Sequence, residues 1–431
     1  MAQNCARTSR MSERTVNTGL AKLSVAQIVG LLVPWMTVPF LLRTLGVSEY
    51  GWLMLATTVM QYLSVITEYS YGITGPRDVS RAADQPGGLE SYVSSFYTAR
   101  FVLLVICLAV LVPCIWLLPV CRWSLFAFAF LNVIGTTLMP TAVLYGLQEF
   151  DLVAKLSLGS RIVPAALIFL LVRKPTHTAL TVGLQSGTYL LFAIFALVLV
   201  RSRLPARWPR PSWRMIREEL RRGAGTFASV AAVAAYTAGP TILLGAFTSP
   251  QVVGYYTAAD KTLTAAKGGI MPVFQVYFPR IAKLPPDQVR LSNRLIRRLL
   301  VIALTIAIGA SAVMGIFPEG LSHLLSGADA PETASVMRRF SVLPVILVGV
   351  FLFNDTIHLC LNLESARTRT LLRSAALFLI VSPVVVGAFR GGATGMATCV
   401  VLTEFSIALS SMIGYWRRQR SMTGPKGTHG T

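Results

Sequence analysis

Apolar and polar positions along the chain are sorted into long blocks. About twelve apolar blocks are separated by short polar loops, and each block has the ~20 residues that a helix needs to cross a bilayer. The runs are continuous, as from Leu103 to Pro119, and do not alternate as they would in a barrel strand. The pattern therefore predicts an all-α membrane protein with about twelve transmembrane helices. The predicted spans are residues 20–42, 51–73, 95–118, 123–146, 153–172, 178–200, 223–246, 252–278, 299–317, 340–361, 370–388 and 392–415.

The distribution of basic residues predicts the orientation of these spans. An even number of spans places both termini on one side. If that side is the cytoplasm, 28 of the 39 Lys and Arg residues lie in inner loops and tails, 7 lie in outer loops, and 4 lie within spans. Cytoplasmic loops carry such an excess of Lys and Arg, so an N-in, C-in topology is expected.

Composition and charge narrow the class of function. Hydrophobic residues make up 54% of the chain and charged residues 13%, and the formal net charge is +21. This charge does not indicate nucleic-acid binding, because it lies in predicted cytoplasmic loops that face anionic lipid headgroups. Within the basic segment 201–222, Trp213, Ile216 and Leu220 have helical spacing, which is typical of a short helix on the inner leaflet or of a simple linker.

No motif of catalysis or cofactor binding is found in the sequence. It lacks CxxC, HExxH, P-loop and dinucleotide fingerprints, so no catalytic residue, metal or cofactor is expected. Cys107, Cys114 and Cys121 share one helix face, but about 10 Å of helix rise separates successive members. We expect them to pack rather than to bind a metal.

The two halves of the chain echo each other at an offset of 203 residues. Gly51 and Gly254 open the second and eighth spans with similar sequences, and Pro76-Arg77 matches Pro279-Arg280. Together these matches predict two homologous six-helix bundles in the same orientation, as in carriers that move two halves around a central cavity. The predicted organisation is a cytoplasmic tail (1–19), an N-terminal bundle (20–200), a basic cytoplasmic linker (201–222), a C-terminal bundle (223–415) and a cytoplasmic tail (416–431).

Six short motifs resemble those of a known family. They occur in order across roughly residues 20–415, and they resemble the polysaccharide-transporter (O-antigen, lipid-linked oligosaccharide) flippases of the multidrug/oligosaccharidyl-lipid/polysaccharide exporter superfamily. The motifs lie at residues 41–51 (LLRTLGVSEYG), 76–81 (PRDVSR), 97–100 (YTAR), 145–149 (YGLQE), 253–261 (VGYYTAADK) and 277–281 (YFPRI).

This resemblance implies a function and a location. It implies a flippase in the bacterial cytoplasmic (inner) membrane, which moves a polyprenyl-pyrophosphate-linked oligosaccharide by alternating access. The implied partners are that lipid-linked substrate, membrane lipids, and a polymerase or other polysaccharide-assembly proteins.

Charged side chains inside spans are costly, so they are expected to face a cavity or a partner. In the eighth span, Thr257, Asp260, Lys261, Thr264 and Lys267 form one polar stripe. The stripe would line a cavity and meet an anionic headgroup, or Asp260 would pair with a lysine to join two helices. The candidates for binding pyrophosphate or lining the cavity are Lys261, Lys267, Arg77, Arg280, Arg100 and Arg161, and those for ion coupling are Asp260, Asp355, His358 and Glu404.

Structural roles stay open for these residues. Arg77 and Arg280 would form a basic rim for an arriving phosphate, or would serve only as positive-inside signals beside a helix-ending proline. Arg100 and Arg161 would pair with Glu68, and hydrogen bonds between helices would explain Asp355, His358 and Glu404 equally well.

Two other functions compete with the flippase. A drug/cation antiporter of the same superfamily would favour an acidic cavity, whereas the eighth span holds two lysines and only one acid. A membrane-embedded polysaccharide polymerase or ligase would need a large outer loop with catalytic residues. The longest predicted outer loop, about 318–339, is short.

Overall fold

The computed structural model describes residues 29–30, 32–117, 122–203, 213–282, 293–327, 330–360 and 363–423. The outer parts of both predicted tails and Cys121 lie outside these residues, and so does the side chain of Cys114. The described part of the chain is almost entirely helical and contains no strand.

Two compact units make up the chain, Met1–Ala231 and Ala232–Thr431. The helices of the first unit, with α9 running on into the second, are α1 (Leu32–Leu45), α2 (Val47–Glu68), α3 (Tyr71–Ala83), α4 (Gly88–Leu117), α5 (Trp123–Leu138), α6 (Thr141–Gly146), α7 (Phe150–Leu171), α8 (Thr178–Arg203) and α9 (Trp213–Thr237).

The second unit continues from α9. Its helices are α10 (Gly239–Phe247), α11 (Pro250–Ala282), α12 (Asn293–Ile316), α13 (Pro318–Ser326), α14 (Pro331–Phe340), α15 (Leu343–Gly349), α16 (His358–Cys360), α17 (Glu364–Pro383) and α18 (Gly392–Thr423). Two π-helical turns, Val350–Ile357 and Val384–Ala388, interrupt this series.

Eight helical segments of the described chain are long and apolar enough to cross a membrane. They become nine if α9 and α10, which meet at a bend of 49°, count as one span. The polar helices α2 and α11 are not among the eight, and the described part of α1 is short. The chain is therefore a polytopic helical membrane protein.

The predicted linker does not remain a separate segment over its whole length. From Trp213 onward it forms the first turns of α9, and Ile216 is buried in the core of the first unit beside Leu220. The hydroxyl of Tyr69 donates a hydrogen bond to the Leu220 carbonyl (2.9 Å), and the rings of Tyr69 and Phe227 stack at 4.5 Å. The division between the units falls inside α9, at Ala231.

A close helix contact shapes the core of the first unit. An added Cβ on Gly146 would lie 2.5 Å from the Val79 side chain, so α6 and α3 approach more closely than a larger residue allows. Ser80 donates a hydrogen bond to the Gly146 carbonyl (3.4 Å). Two of the motifs that resemble the flippases, residues 76–81 and 145–149, therefore meet in this contact.

The core of the second unit joins α11 to α12 and to the π-helical turn. Ile270 and Phe274 of α11 pack with Leu299, Ala303 and Leu352. This packing uses the face of α11 that carries large apolar side chains.

Candidate functional site

A cavity of about 760 Å³ lies in the first unit and is lined by α3, the start of α4 and the start of α9. Helix α2 ends at Glu68, and the backbone turns at Tyr69 with a left-handed φ of 52° before α3 begins. This break redirects the chain, and residues 76–81 follow it along the cavity wall.

Three arginines give the cavity its positive side. Arg77, predicted as a phosphate contact, lines the cavity with Arg81 and Arg222. Arg77 is 65% exposed and lies 3.4 Å from the Asp78 carboxylate. Among the described residues, Arg81 and Arg222 form no ion pair, although Glu219 lies near Arg222. A guanidinium group that forms no ion pair is suited to bind phosphate oxygens bidentately.

Neutral polar groups extend the wall of this cavity. The hydroxyls of Tyr92 and Ser95 are buried and have no hydrogen-bond partner in the part of the chain that the structure describes. Buried polar atoms are normally satisfied, so these two hydroxyls are unpaired groups at the cavity wall. The other polar lining residues include Ser70, Tyr71, Thr74, Gln85, Ser91 and Glu218.

Arg100, a predicted cavity residue, is buried inside the first unit, where it lines a small cavity of about 50 Å³ with Glu68. Its side chain is 3% exposed and donates hydrogen bonds to the carbonyls of Met139 (3.2 Å), Thr67 (3.4 Å) and Thr136. Its guanidinium also lies 4.9 Å from the centre of the Phe96 ring. These carbonyls stand at the ends of α2 and α5, where helices leave carbonyls without intrahelical partners.

Arg161 and Arg280 lie apart from this cavity. The exposed Arg161 guanidinium lies against the backbone of Gly30. Arg280 is exposed near the end of α11, with its guanidinium 5.7 Å from the ring of Tyr277. Arg77 lines a cavity, whereas Arg280, its counterpart in the predicted repeat, is exposed beside an aromatic ring.

The predicted polar stripe is present on α11. Asp260, Lys261 and Lys267 are half-buried, and the Thr264 hydroxyl donates to the Asp260 carbonyl (2.9 Å). In the described chain, the Asp260 carboxylate forms no ion pair with either lysine, so the pairing considered from the sequence is not observed.

Lys267 has a different acidic neighbour. Its charge acts on the carboxylate of Glu404 in α18, which is 4% exposed. The Oε2 atom of Glu404 has no hydrogen-bond partner among the described residues. Asp355 and Tyr236 are also electrostatic neighbours of this carboxylate.

The other two ion-coupling candidates lie at the π-helical turn of the second unit. Asp355 accepts a hydrogen bond from Arg367 (3.1 Å) and one from the Asn354 carboxamide (2.9 Å). His358 is buried and its Nδ1 contacts the Phe353 carbonyl. Wide helical turns of this kind are frequent at functional sites.

Sequence reasoning did not select Arg81, Arg222, Tyr92 or Ser95 as site residues. Arg222 is more than a hundred residues from Arg77 in the chain, and helical spacing carries no information on such distant contacts. The sequence from Trp213 into the next apolar block contains no helix-breaking proline, and this continuity could have predicted that Arg222 lies on a helix of the first unit.

A family comparison matches residues 17–285 to the polysaccharide biosynthesis protein family. A "Putative O-antigen transporter" of Escherichia coli (strain K12) is 28% identical over 266 residues, 60% of this chain and 63% of that relative's length. A "Putative O-antigen transporter" of Shigella dysenteriae is 25% identical over 88% of this chain and 94% of its own.

Solved structures show the same fold at low sequence identity. An inward-facing multidrug resistance MATE family transporter of the MOP superfamily has a TM-score of 0.64 and 11% identity, covering 92% of this chain and 99% of its own. The MATE multidrug transporter DinF-BH has a TM-score of 0.62 and 15% identity, covering 96% of this chain and 97% of its own.

The chain has the helical fold of the MATE transporters of the MOP superfamily, and its long apolar helices are those of a membrane protein. The chain belongs to the polysaccharide biosynthesis protein family. The resemblance inferred from the six motifs is thereby confirmed, and the names of the relatives agree with a transporter rather than an enzyme.

Proposed function

We propose that this protein is a flippase for a polyprenyl-pyrophosphate-linked oligosaccharide, such as an O-antigen or other polysaccharide repeat unit. In this proposal it works by alternating access in the bacterial cytoplasmic membrane, with twelve spans and both termini inside. The observation that carries it is the cavity in the first unit, with three arginines and the unsatisfied buried hydroxyls of Tyr92 and Ser95.

The chemistry of this cavity suits a pyrophosphate. Two guanidinium groups without ion pairs in the described chain supply charge and forked donors for an anion, and the hydroxyls of Tyr92 and Ser95 supply neutral donors. The acids Asp78, Glu218 and Glu219 lie in the same wall and limit its net charge, which favours release after binding. In the proposed orientation the cavity opens to the cytoplasm, where lipid-linked precursors are assembled.

The proposed topology is tested with reporter fusions. Fusions after Arg201 and Arg420 should report the cytoplasm, and one after Arg122 the outside. A periplasmic signal from segment 201–222 would contradict the orientation.

Transport is tested in a strain that lacks this protein. We expect lipid-linked repeat units to accumulate on the cytoplasmic leaflet with their synthesis intact. Accumulation of single repeat units on the outer leaflet would instead support a polymerase and would refute the flippase.

Cation-driven antiport is a second candidate, favoured by the buried Glu404 carboxylate with its unsatisfied oxygen. Such a carboxylate can bind and release a proton or a cation. It would drive the flippase or, in an antiporter, the export of a cationic compound. Transport measured with and without a proton or sodium gradient separates these cases.

A further inference from the structure

A second cavity lies in the second unit, where three helices begin. Its volume is about 530 Å³, which falls within the range of small-molecule sites. The chain segments that form it are the first turns of α11 and α14 and the loop that leads into α18. Its polar or aromatic lining residues are Gln251, Tyr255, Glu332, Ser335 and Thr394, and Gly392 also lines it.

Backbone donors converge on this cavity. The first turn of a helix leaves N–H groups without intrahelical acceptors, and α11, α14 and α18 all start here. Pro250 and Pro331 have no N–H, and the Val252 N–H donates to the Ser249 carbonyl, so only the remaining first-turn N–H groups are donors for a ligand. Ala330, which precedes α14, makes no side-chain cap that would occupy them. Gly392 has a φ of 53°, and no atom of the described chain lies within 4 Å of where its Cβ would be, so the backbone is open on this side.

Two hydrogen-bond acceptors and one aromatic ring also line this cavity. The exposed Glu332 carboxylate forms no ion pair among the described residues. The Gln251 amide nitrogen donates to the Tyr255 hydroxyl (2.8 Å), which fixes the amide and leaves its carbonyl oxygen as an acceptor. The half-buried Tyr255 ring adds an apolar face.

This mixture of groups favours one ligand chemistry. Glu332 repels a simple anion, and no Lys or Arg of the described chain lines the cavity to offset it. Helix N-termini disfavour a simple cation. Hydroxyl groups both donate and accept hydrogen bonds, and a sugar ring also has apolar C–H faces that fit an aromatic side chain.

We propose that this cavity binds the saccharide part of the transported molecule. The inference rests on the proposed function and adds a second binding region to it. In the proposed orientation, segments 247–251, 318–339 and 389–391 face outward, so the cavity would hold the oligosaccharide after it has crossed the membrane. The pyrophosphate would then be bound in the first unit and the oligosaccharide in the second unit.

Direct binding to the purified full-length protein tests this inference. The probe is the free oligosaccharide released by mild acid from the host's own polyprenyl-pyrophosphate pool, and the readout is saturation-transfer difference NMR. We expect signals from the sugar ring protons with the wild type, none with Ser335→Trp, which fills the cavity, and about tenfold weaker binding with Glu332→Ala, which removes a charged acceptor.

A matched variant and a second readout make the outcome decisive. Glu319→Ala removes an acid of the same predicted loop that pairs with Arg338 and does not line the cavity, so binding should be unchanged. Equal melting temperatures confirm that the variants are folded.

Binding that survives in both cavity variants would overturn the inference, and so would an absence of binding to a wild type that transports in cells. Cells in which transport does not depend on the protein at all would instead refute the proposed function.

Discussion

Arg122 donates two hydrogen bonds to the carboxylate of Glu49, one of them at 2.7 Å. The Thr178 hydroxyl donates to the same carboxylate (2.7 Å), and the Arg122 guanidinium lies 5.6 Å from the centre of the Trp52 ring. The residues come from the starts of α2, α5 and α8, at the edges of the predicted spans. One carboxylate therefore joins three helix ends of the first unit, within the motif at residues 41–51.

Replacement of Arg122 by Ala should destabilise the protein in a pH-dependent way. The hydrogen-bonded Arg122 guanidinium lowers the pKa of Glu49 from its ordinary value. A lowered folded-state pKa gives stability that is present above the unfolded pKa of about 4.3 and is lost as pH falls through the folded-state value. Near pH 7 we expect a loss of about 1 kcal/mol, since the pair is bidentate but partly exposed.

Melting temperatures of the detergent-purified wild type and Arg122→Ala, measured from pH 7 down to about pH 3, check this result. The difference between them should shrink toward the acid end. Arg338→Ala is the control, because the Arg338–Glu319 pair is more exposed and should matter little. A difference that stays constant with pH would contradict the role assigned to Glu49.

Gly146→Ala should destabilise the first unit by about 1–3 kcal/mol, because the added Cβ would lie 2.5 Å from Val79 and force α6 away from α3. Gly187→Ala is the control, since no atom of the described chain lies within 4 Å of its Cβ position in α8. Thermal melting followed by size-exclusion chromatography measures both. Equal losses in the two variants would show that the close contact is unimportant.

Arg100→Ala should reduce stability by more than about 3 kcal/mol, since it leaves three buried carbonyls without their donor. Arg81→Ala, which removes an exposed guanidinium, should melt like the wild type. The amount of folded protein in membranes and its melting temperature are the measurements. Normal folding of Arg100→Ala with a loss of transport alone would restore Arg100 as a substrate contact.

Substitution of Arg77, Arg81 or Arg222 by Ala should lower transport while leaving the melting temperature unchanged. Each removes one anion donor from the cavity of the first unit. Replacement by Lys should retain part of the activity, because the charge remains but the forked geometry is lost. Arg221→Ala, next to Arg222 but outside the cavity wall, is the control. Normal transport by the triple alanine variant would refute the assignment.

Lys267→Ala should lower stability, because it leaves the buried Glu404 carboxylate without its positive neighbour. The double variant Lys267→Ala/Glu404→Gln should recover the melting temperature. If transport also recovers, Lys267 serves only to compensate Glu404. If transport stays low in the stable double variant, a substrate or coupling role is supported, and Lys261→Ala should then melt normally and transport poorly.

Sequence periodicity predicted the elements with the strongest apolar signal and missed those set by distant contacts. Helices such as α4 and α12 follow directly from apolar runs that only a membrane span explains. The interruption at Tyr69 carries no glycine or proline at its turn, so the break between α2 and α3 was not expected. The continuity of α9 into the predicted linker was also missed. The spacing of Ile216 indicated a helix, but the many arginines around it favoured a separate segment at the membrane surface.

The candidate site was predictable only in part, for the same physical reason. Arg77 was found because a charge beside Pro76 near the end of a span is visible in the sequence. The position of Arg100 is set by its hydrogen bonds to backbone carbonyls of two other helices. Every residue has such a carbonyl, so the sequence does not show which ones accept these bonds. Lys267 and Glu404 were each recognised as costly intramembrane charges, but their proximity comes from the packing of α11 with α18.

The break at Tyr69 also bears on the repeat that was predicted between the two halves of the chain. The first copy carries Pro76-Arg77 on a short helix that follows a turn, whereas the second carries Pro279-Arg280 near the end of one continuous 33-residue helix. The same Pro-Arg dipeptide thus lies in two different structural settings. The shared dipeptide therefore does not bring shared neighbours, so a role demonstrated for Arg77 cannot be transferred to Arg280 by symmetry.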